Sequence, residues 1–390
     1  MFKKRLLSVL LLSSSAVYAT KPVLPDILIP TKHSQQKTIE MSKFVRSGPT
    51  IQVAILLDTS GSMDGLIQQA KSKIWNIINE LSKANKSNKD VTLQVGLFEY
   101  GKQSISKHEG FLQMLLPLGN DLDLLSEKLF SLRTDGGEEY AGKVILESIN
   151  RMQWSDHKDD LKLIIIAGNE SFEQGDIPVD FSVKKAVDNN IIVNTVFCGD
   201  YDKGIDLGWK KGAEDGGGKY LNIKQNKQII RIVTPYDELI ILLGNKLNNT
   251  YIGYGIQSKA KKARQLAQDA NASKESRAMM ADRSISKASS NYKNESWDVT
   301  SIYENDEASA IKLAKEQSTH FKGMSDDEIR SAIETKVKER NKLKAEISLL
   351  EEKRAAFIDK NKDTKASDFG SVLLRNVKEQ AEGKGYIFKK

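Results

Sequence analysis

Between residues 51 and 250, short, mostly apolar runs alternate with stretches in which apolar side chains return every three or four positions. The runs are Ile51 to Leu57, Val91 to Tyr100, Phe111 to Leu118, Leu161 to Ala167, Ile191 to Phe197 and a short one around Tyr220. Such runs, rich in aliphatic and β-branched residues, read as strands covered on both faces. Leu66, Ile67, Ala70, Ile74, Ile77, Ile78 and Leu81 fall at helical spacing and predict an amphipathic helix. Asp121 to Leu132, Tyr140 to Met152, Val179 to Asn189 and Pro235 to Leu247 read as further helices, the last one closing the unit, and Gly212 to Gly218 as a loop. Alternating strands and helices of this kind predict an α/β fold with a doubly wound, mostly parallel sheet, in which Phe111 to Leu118 supplies an antiparallel edge.

Past residue 250 the pattern changes to a helical tail. Residues 256–290 are rich in Ala, Lys and Gln and favour helix with few large apolar positions. Ser325-Asp326-Asp327-Glu328 has the form of a capping box, followed by Ile329, Ile333 and Val337 at helical spacing. Leu343, Ile347, Leu350 and Phe357 then give a coiled-coil-like seam over about residues 325–358, with Arg354 at the place that would complete it. The seam serves equally a hairpin within the chain or self-association through the tail. Trp297, a single Trp in a polar stretch, is expected to anchor the tail on the body. After a polar break from Asn361 to Ser367, a last helix is expected near Phe369 to Glu382, carrying Val372, Leu373, Asn376 and Val377.

The first 19 residues carry Lys3, Lys4 and Arg5, an apolar core from Leu6 to Leu12 and the small-residue ending Val17-Tyr18-Ala19. They read as a secretory signal peptide cleaved after Ala19, too short in its apolar run for a membrane span, and they predict an exported protein, periplasmic or secreted. Residues 20–48 read as an extended lead-in, 49–250 as the α/β body, and 251–390 as the tail; nothing later is apolar enough to be a transmembrane segment. The chain's net charge is +7. Residues 20–250 hold 28 Lys and Arg against 30 Asp and Glu, whereas 251–390 hold 28 against 22, so the basic excess belongs to the tail. A near-neutral body argues against nucleic acid as a partner. Cys198 is the only cysteine, so no internal disulfide forms, and its place at the end of an apolar run marks it as a core residue.

The chemistry sits where the first strand ends. Asp58, Ser60 and Ser62 alternate in Asp58-Thr59-Ser60-Gly61-Ser62, and a curled loop points their three oxygens at one spot, a donor set suited to a hard divalent cation. The plainer reading is a strand-to-helix turn in which Asp58 or Ser62 caps the next helix. Asp-x-Ser-x-Ser after an apolar strand resembles the first loop of the metal-ion-dependent adhesion site of the von Willebrand factor type A domain, matched residue for residue. The resemblance covers about residues 50–250.

It implies two further loops. The second is here Arg133-Thr134-Asp135-Gly136-Gly137-Glu138-Glu139-Tyr140, in which Thr134 offers a hydroxyl but the family's Thr position falls on Glu138 or Glu139. The third is Ile166-Ala167-Gly168-Asn169-Glu170, with Gly168 at the family's Asp position and Asn169 and Glu170 beside it as substitutes. One reading is that a second-loop carboxylate replaces the one missing from the third; the other is a degenerate site. The strings TDGGEEY and AGNESF are similar to those of a subgroup of bacterial exported type A proteins. The resemblance implies magnesium at the site, with manganese or calcium as alternatives, and an unidentified protein ligand that offers an acidic side chain to the cation.

No His-Glu-x-x-His, no Gly-x-Ser-x-Gly elbow and no phosphate-loop ending occurs in the chain, so the expectation is binding and not an enzyme. A rival reading is a structural envelope protein that binds through its basic tail with a vestigial metal site. A metal-dependent hydrolase ranks third.

Overall fold

The computed structural model describes residues 48–87, 89–223, 232–361 and 369–388. The expected signal peptide, all but the last residue of the lead-in and the polar break after Asn361 lie outside the described residues. The chain runs β1 (Thr50–Asp58), α1 (Ile67–Leu81), β2 (Ala84–Lys86), β3 (Lys89–Asp90), β4 (Thr92–Tyr100), β5 (Leu112–Gly119), α2 (Leu122–Ser131), α3 (Ala141–Arg151), β6 (Leu161–Gly168), α4 (Val179–Asp188) and β7 (Ile192–Cys198). It continues through α5 (Tyr201–Asp206), α6 (Trp209–Asp215) and β8 (Gly217–Ile223).

Six of these strands form one sheet in the order β5-β4-β1-β6-β7-β8. β5 pairs antiparallel with β4 at the edge, and the other neighbours are parallel. β1 is central and buried on both faces. Ile51, Val53, Ile55 and Leu57 face a core shared with α1 and α2, while Ala54 and Leu56 face one shared with α3, α4 and Trp209. The alternation of strand and helix in the sequence thus reappears as a three-layer α/β fold, because strands covered on both faces cannot alternate polar and apolar residues.

The stretch expected to be a loop, Gly212 to Gly218, is instead the end of α6, a turn and the start of β8. Trp209 explains the difference: it is buried against Phe172 and Phe197, 4.7 and 5.8 Å between ring centroids, and pins the short helix to the sheet. Within that helix position 212 has room only for glycine, because the Phe172 ring lies 2.2 Å from where a Cβ would be.

After these come α7 (Asp237–Asn248), α8 (Ser258–Glu275), α9 (Arg277–Ala288), α10 (Val299–Tyr303), α11 (Glu307–Gln317), α12 (Asp326–Asn361), α13 (Phe369–Glu382) and β9 (Ile387–Phe388). α7, expected to close the α/β unit, packs through Ile240, Leu243 and Leu247 on α9 and α12, away from the sheet. The capping box forms: the Ser325 amide and hydroxyl donate to the Glu328 carboxylate, each at 2.8 Å. The seam of α12 is spent inside the chain. Leu343 and Ile347 pack with α7 and α9, and Arg354 binds Asp237 of α7 at 2.7 Å and Asp282 of α9 at 2.8 Å. Trp297 stacks on Tyr251 within this helical layer, its Nε1 donating to Asn294, and does not dock on the sheet.

The join between layers is polar and buried. Arg283 of α9 pairs with Asp123 of α2 and Asp269 of α8, and Lys287 pairs with Asp269. The last described residues return to the body. Val377, Ala381 and Tyr386 belong to its core, and β9 pairs antiparallel with β2. The Tyr386 hydroxyl donates to the Thr50 carbonyl at 2.7 Å and accepts from the Leu161 amide at 3.3 Å, clamping the amino ends of β1 and β6. No helix among the described residues is long and apolar enough to cross a membrane.

Candidate metal centre

β1 ends in the middle of the sheet, so its carboxyl end opens between the loops that follow β4 and β6, the usual place for a ligand in a doubly wound sheet. Asp58 is the last residue of β1 and is fully buried. Its Oδ1 accepts from the Ser60 amide at 2.7 Å, and the Asn169 amide also approaches the carboxylate. Its Oδ2 has no hydrogen-bond partner. Burial pushes the carboxyl up from its ordinary 3.8 to about 7, and the Glu139 charge adds to the rise.

The loop curls as its spacing requires. The Ser60 and Ser62 hydroxyls lie 2.9 Å apart, and Ser62 donates to Asn169 Oδ1 at 2.9 Å. Asn169 returns a bond from Nδ2 to the Ser62 carbonyl at 3.0 Å, tying the third loop to the first. The second loop is tied by backbone: the Asp135 amide donates to the Thr59 carbonyl at 2.9 Å. Lys71, buried on α1, holds the Leu132 carbonyl at 2.7 Å just before that loop.

These ties settle which second-loop side chains reach the centre. Thr134 donates to Asp64 at 3.1 Å and is engaged at the start of α1. Glu138 is exposed and accepts from Gln174 at 3.0 Å. Glu139 turns inward, is buried, and meets the Ser60 hydroxyl. Its carboxyl is raised by burial first, then by the charges of Glu170 and Glu138. Glu170 stands at the rim, its carbonyl fixed by Trp209 Nε1 at 2.7 Å.

Two glycines make room for this arrangement, and their importance was invisible in the sequence. A Cβ at Gly101, which has φ +77°, would stand 2.7 Å from Asp58 Oδ1 and 3.1 Å from Glu139 Cγ. A Cβ at Gly168 would meet the Tyr100 hydroxyl at 2.6 Å, Trp209 at 2.9 Å and Asp58 Oδ2 at 3.1 Å. No acid fits at Gly168, so the third loop brings no carboxylate to the spot and the second loop does.

The donor set fits a divalent cation on a count of protons. Ser62 spends its proton on Asn169, so the proton between the two hydroxyls is that of Ser60. Ser60 then faces three acceptors, Asp58, Glu139 and Ser62, with one proton. Two buried carboxylates and an orphaned Oδ2 without a basic partner are costly by themselves and are relieved by a cation. Among the described residues no group of three or more His, Cys, Asp or Glu is placed to hold a metal, so hydroxyls must complete any set here.

The sheet order, together with Asp-x-Ser-x-Ser at the carboxyl end of its central strand, decides the likeness. The body is similar to a von Willebrand factor type A domain. Solved structures that match this type A-like body include the conserved hypothetical protein BatB from Bacteroides thetaiotaomicron, with 19% identity over 45% of this chain and 91% of that one, TM-score 0.34. The SpRpn10 VWA domain matches with 16% identity over 45% and 89%, TM-score 0.35. Proximal thread matrix protein 1 from the mussel byssus, with a zinc occupied MIDAS motif, matches with 12% identity over 46% of this chain and 43% of that one, TM-score 0.34. These likenesses concern fold alone. No family model and no curated protein matches the chain.

Proposed function

We propose that this chain is an exported binding protein whose type A-like body takes up a divalent cation, magnesium foremost, and uses it to hold a protein partner. The observation that carries the reading is the buried Asp58 carboxylate, its Oδ2 without a hydrogen-bond partner, in one centre with the Ser60–Ser62 hydroxyl pair and the Glu139 carboxylate. Asp58, Ser60, Ser62 and Glu139 would hold the cation; when bound, it supplies an open coordination position to an oxygen of the partner. Asn169 orients Ser62 from both of its amide atoms and keeps the loop curled. Gly101 admits the Asp58 and Glu139 carboxylates to one another without a side chain between them, and Gly168 leaves room for Asp58 beside Tyr100 and Trp209. The reading is of binding and not catalysis.

The test is capture on the full chain, with photo-crosslinking, from an envelope extract of the source cells. Partner recovery is expected in magnesium and is expected to disappear in chelator and in Asp58→Ala. Equal recovery with and without chelator contradicts the reading.

A further inference from the structure

Residues 101–111, which join β4 to β5, touch the second loop at three points on either side of Glu139. The Ser104 amide donates to the Asp135 carboxylate at 3.0 Å. At Gly137 the two backbones meet, since a Cβ there would stand 2.6 Å from the Gly101 carbonyl oxygen and 2.7 Å from the Gln103 amide nitrogen. The Phe111 ring then meets the Tyr140 ring edge to face, 5.7 Å between centroids. Glu139 lies between the second and third of these points and is the side chain that turns inward, toward Asp58 and Ser60.

The third point is held against the preference of the backbone. Phe111 has φ +58°, in the left-handed region that a large side chain rarely occupies. Such strain persists only where the surrounding contacts impose it. Here the Lys102 amide donates to the Phe111 carbonyl at 3.3 Å, and the Phe111 amide donates to the Ser106 carbonyl at 3.2 Å. Together they aim the ring at Tyr140. Tyr140 is backed in turn by Gly175, where a Cβ would stand 2.8 Å from its ring. It is also the N-cap of α3 and the residue next to Glu139, so a ring free to shift would carry the Glu139 backbone with it. We propose that Phe111 is a positioning residue for the cation, whose ring, pressed on Tyr140, keeps the Glu139 carboxylate in the centre. This rests on the cation-binding reading above and concerns a residue that holds no cation itself.

The test is calorimetric titration of magnesium into variants of the full chain. Phe111→Asn removes the ring and leaves a residue at ease in the left-handed region, whereas Phe111→Tyr keeps the ring. Affinity is expected to fall about tenfold or more in Phe111→Asn and to stay within about threefold in Phe111→Tyr, the scale on which residues that orient a metal's ligands act. Tyr140→Leu, which takes away the other half of the contact, should lose as much as Phe111→Asn. In a Glu139→Gln background the further loss from Phe111→Asn should be less than about threefold, because the ring acts through that carboxylate; the rise of the urea midpoint with magnesium reads affinities too weak for calorimetry. An equal fall in Phe111→Tyr, or the full loss repeated in the Glu139→Gln background, overturns the proposal. Magnesium uptake that Phe111→Asn and Tyr140→Leu leave unchanged overturns it too while the site reading stands; no uptake by the unmodified chain overturns both.

Discussion

At the scale of residues, the account turns on which oxygens converge. Asp58, Ser60 and Ser62 were legible because they are contiguous: a strand's end and two-residue spacing place them with no knowledge of the rest. Glu139 was legible only as one of a pair with Glu138, since the register across Gly136-Gly137 cannot be counted from sequence, and the Thr59–Asp135 and Lys71–Leu132 hydrogen bonds fix it. Thr134 and Glu139 therefore separate by experiment. Glu139→Gln is expected to weaken cation affinity by tenfold or more with the fold intact, whereas Thr134→Val, which loses only the Asp64 contact, should shift it by about threefold at most. Calorimetric affinities that rank the two variants the other way would contradict the placement.

Asp58 also predicts a dependence on pH. Burial raises its carboxyl from 3.8 to about 7, so between those values the folded chain holds a proton that the unfolded chain has released. In chelator, the stability contributed by the neutral form is full below about pH 4 and is lost as pH rises through about 7. Asp58→Asn has no proton to lose, so denaturant midpoints measured in chelator should fall with pH over that window in the unmodified chain and fall less in the variant. Identical slopes would show that Asp58 does not titrate there.

At the scale of elements, the strands and amphipathic helices of the body were readable because period and length distinguish them. What packs on what was less so. The α12 seam gave the right positions and no partner, and the partners proved to be α7 and α9, with Arg354 finding two acids where an intermolecular coil would have wanted an apolar residue. α13 and β9 read as the end of a tail, yet Val377, Ala381 and Tyr386 are core residues of the body. Tyr386→Ala should therefore destabilise the whole chain by about 3–5 kcal/mol, through a lost aromatic and an unpaired Thr50 carbonyl. A urea titration followed by tryptophan fluorescence measures this; an unchanged midpoint would mean the C-terminal segment is not part of the fold's core.

At the scale of the whole molecule, the layers are joined by buried charge and by the returning C-terminus, so the α/β body is not a self-contained piece. Arg283, wedged between Asp123 and Asp269, couples α9 to α2 and α8. Sequence reading assigned the tail its basic excess and did not see this, because contacts such as Asp123–Arg283 span some 160 positions. A cation held by Asp58 should stabilise this entire unit by mass action, about 2.7 kcal/mol at a free concentration 100 times its dissociation constant. The central claim is that the chain holds that cation, and it is tested most directly by calorimetric titration of magnesium, manganese and calcium into the full chain beside Asp58→Ala. One saturable site in the unmodified chain, lost in the variant, is the predicted result; no heat of binding to either, or equal binding to both, would contradict it.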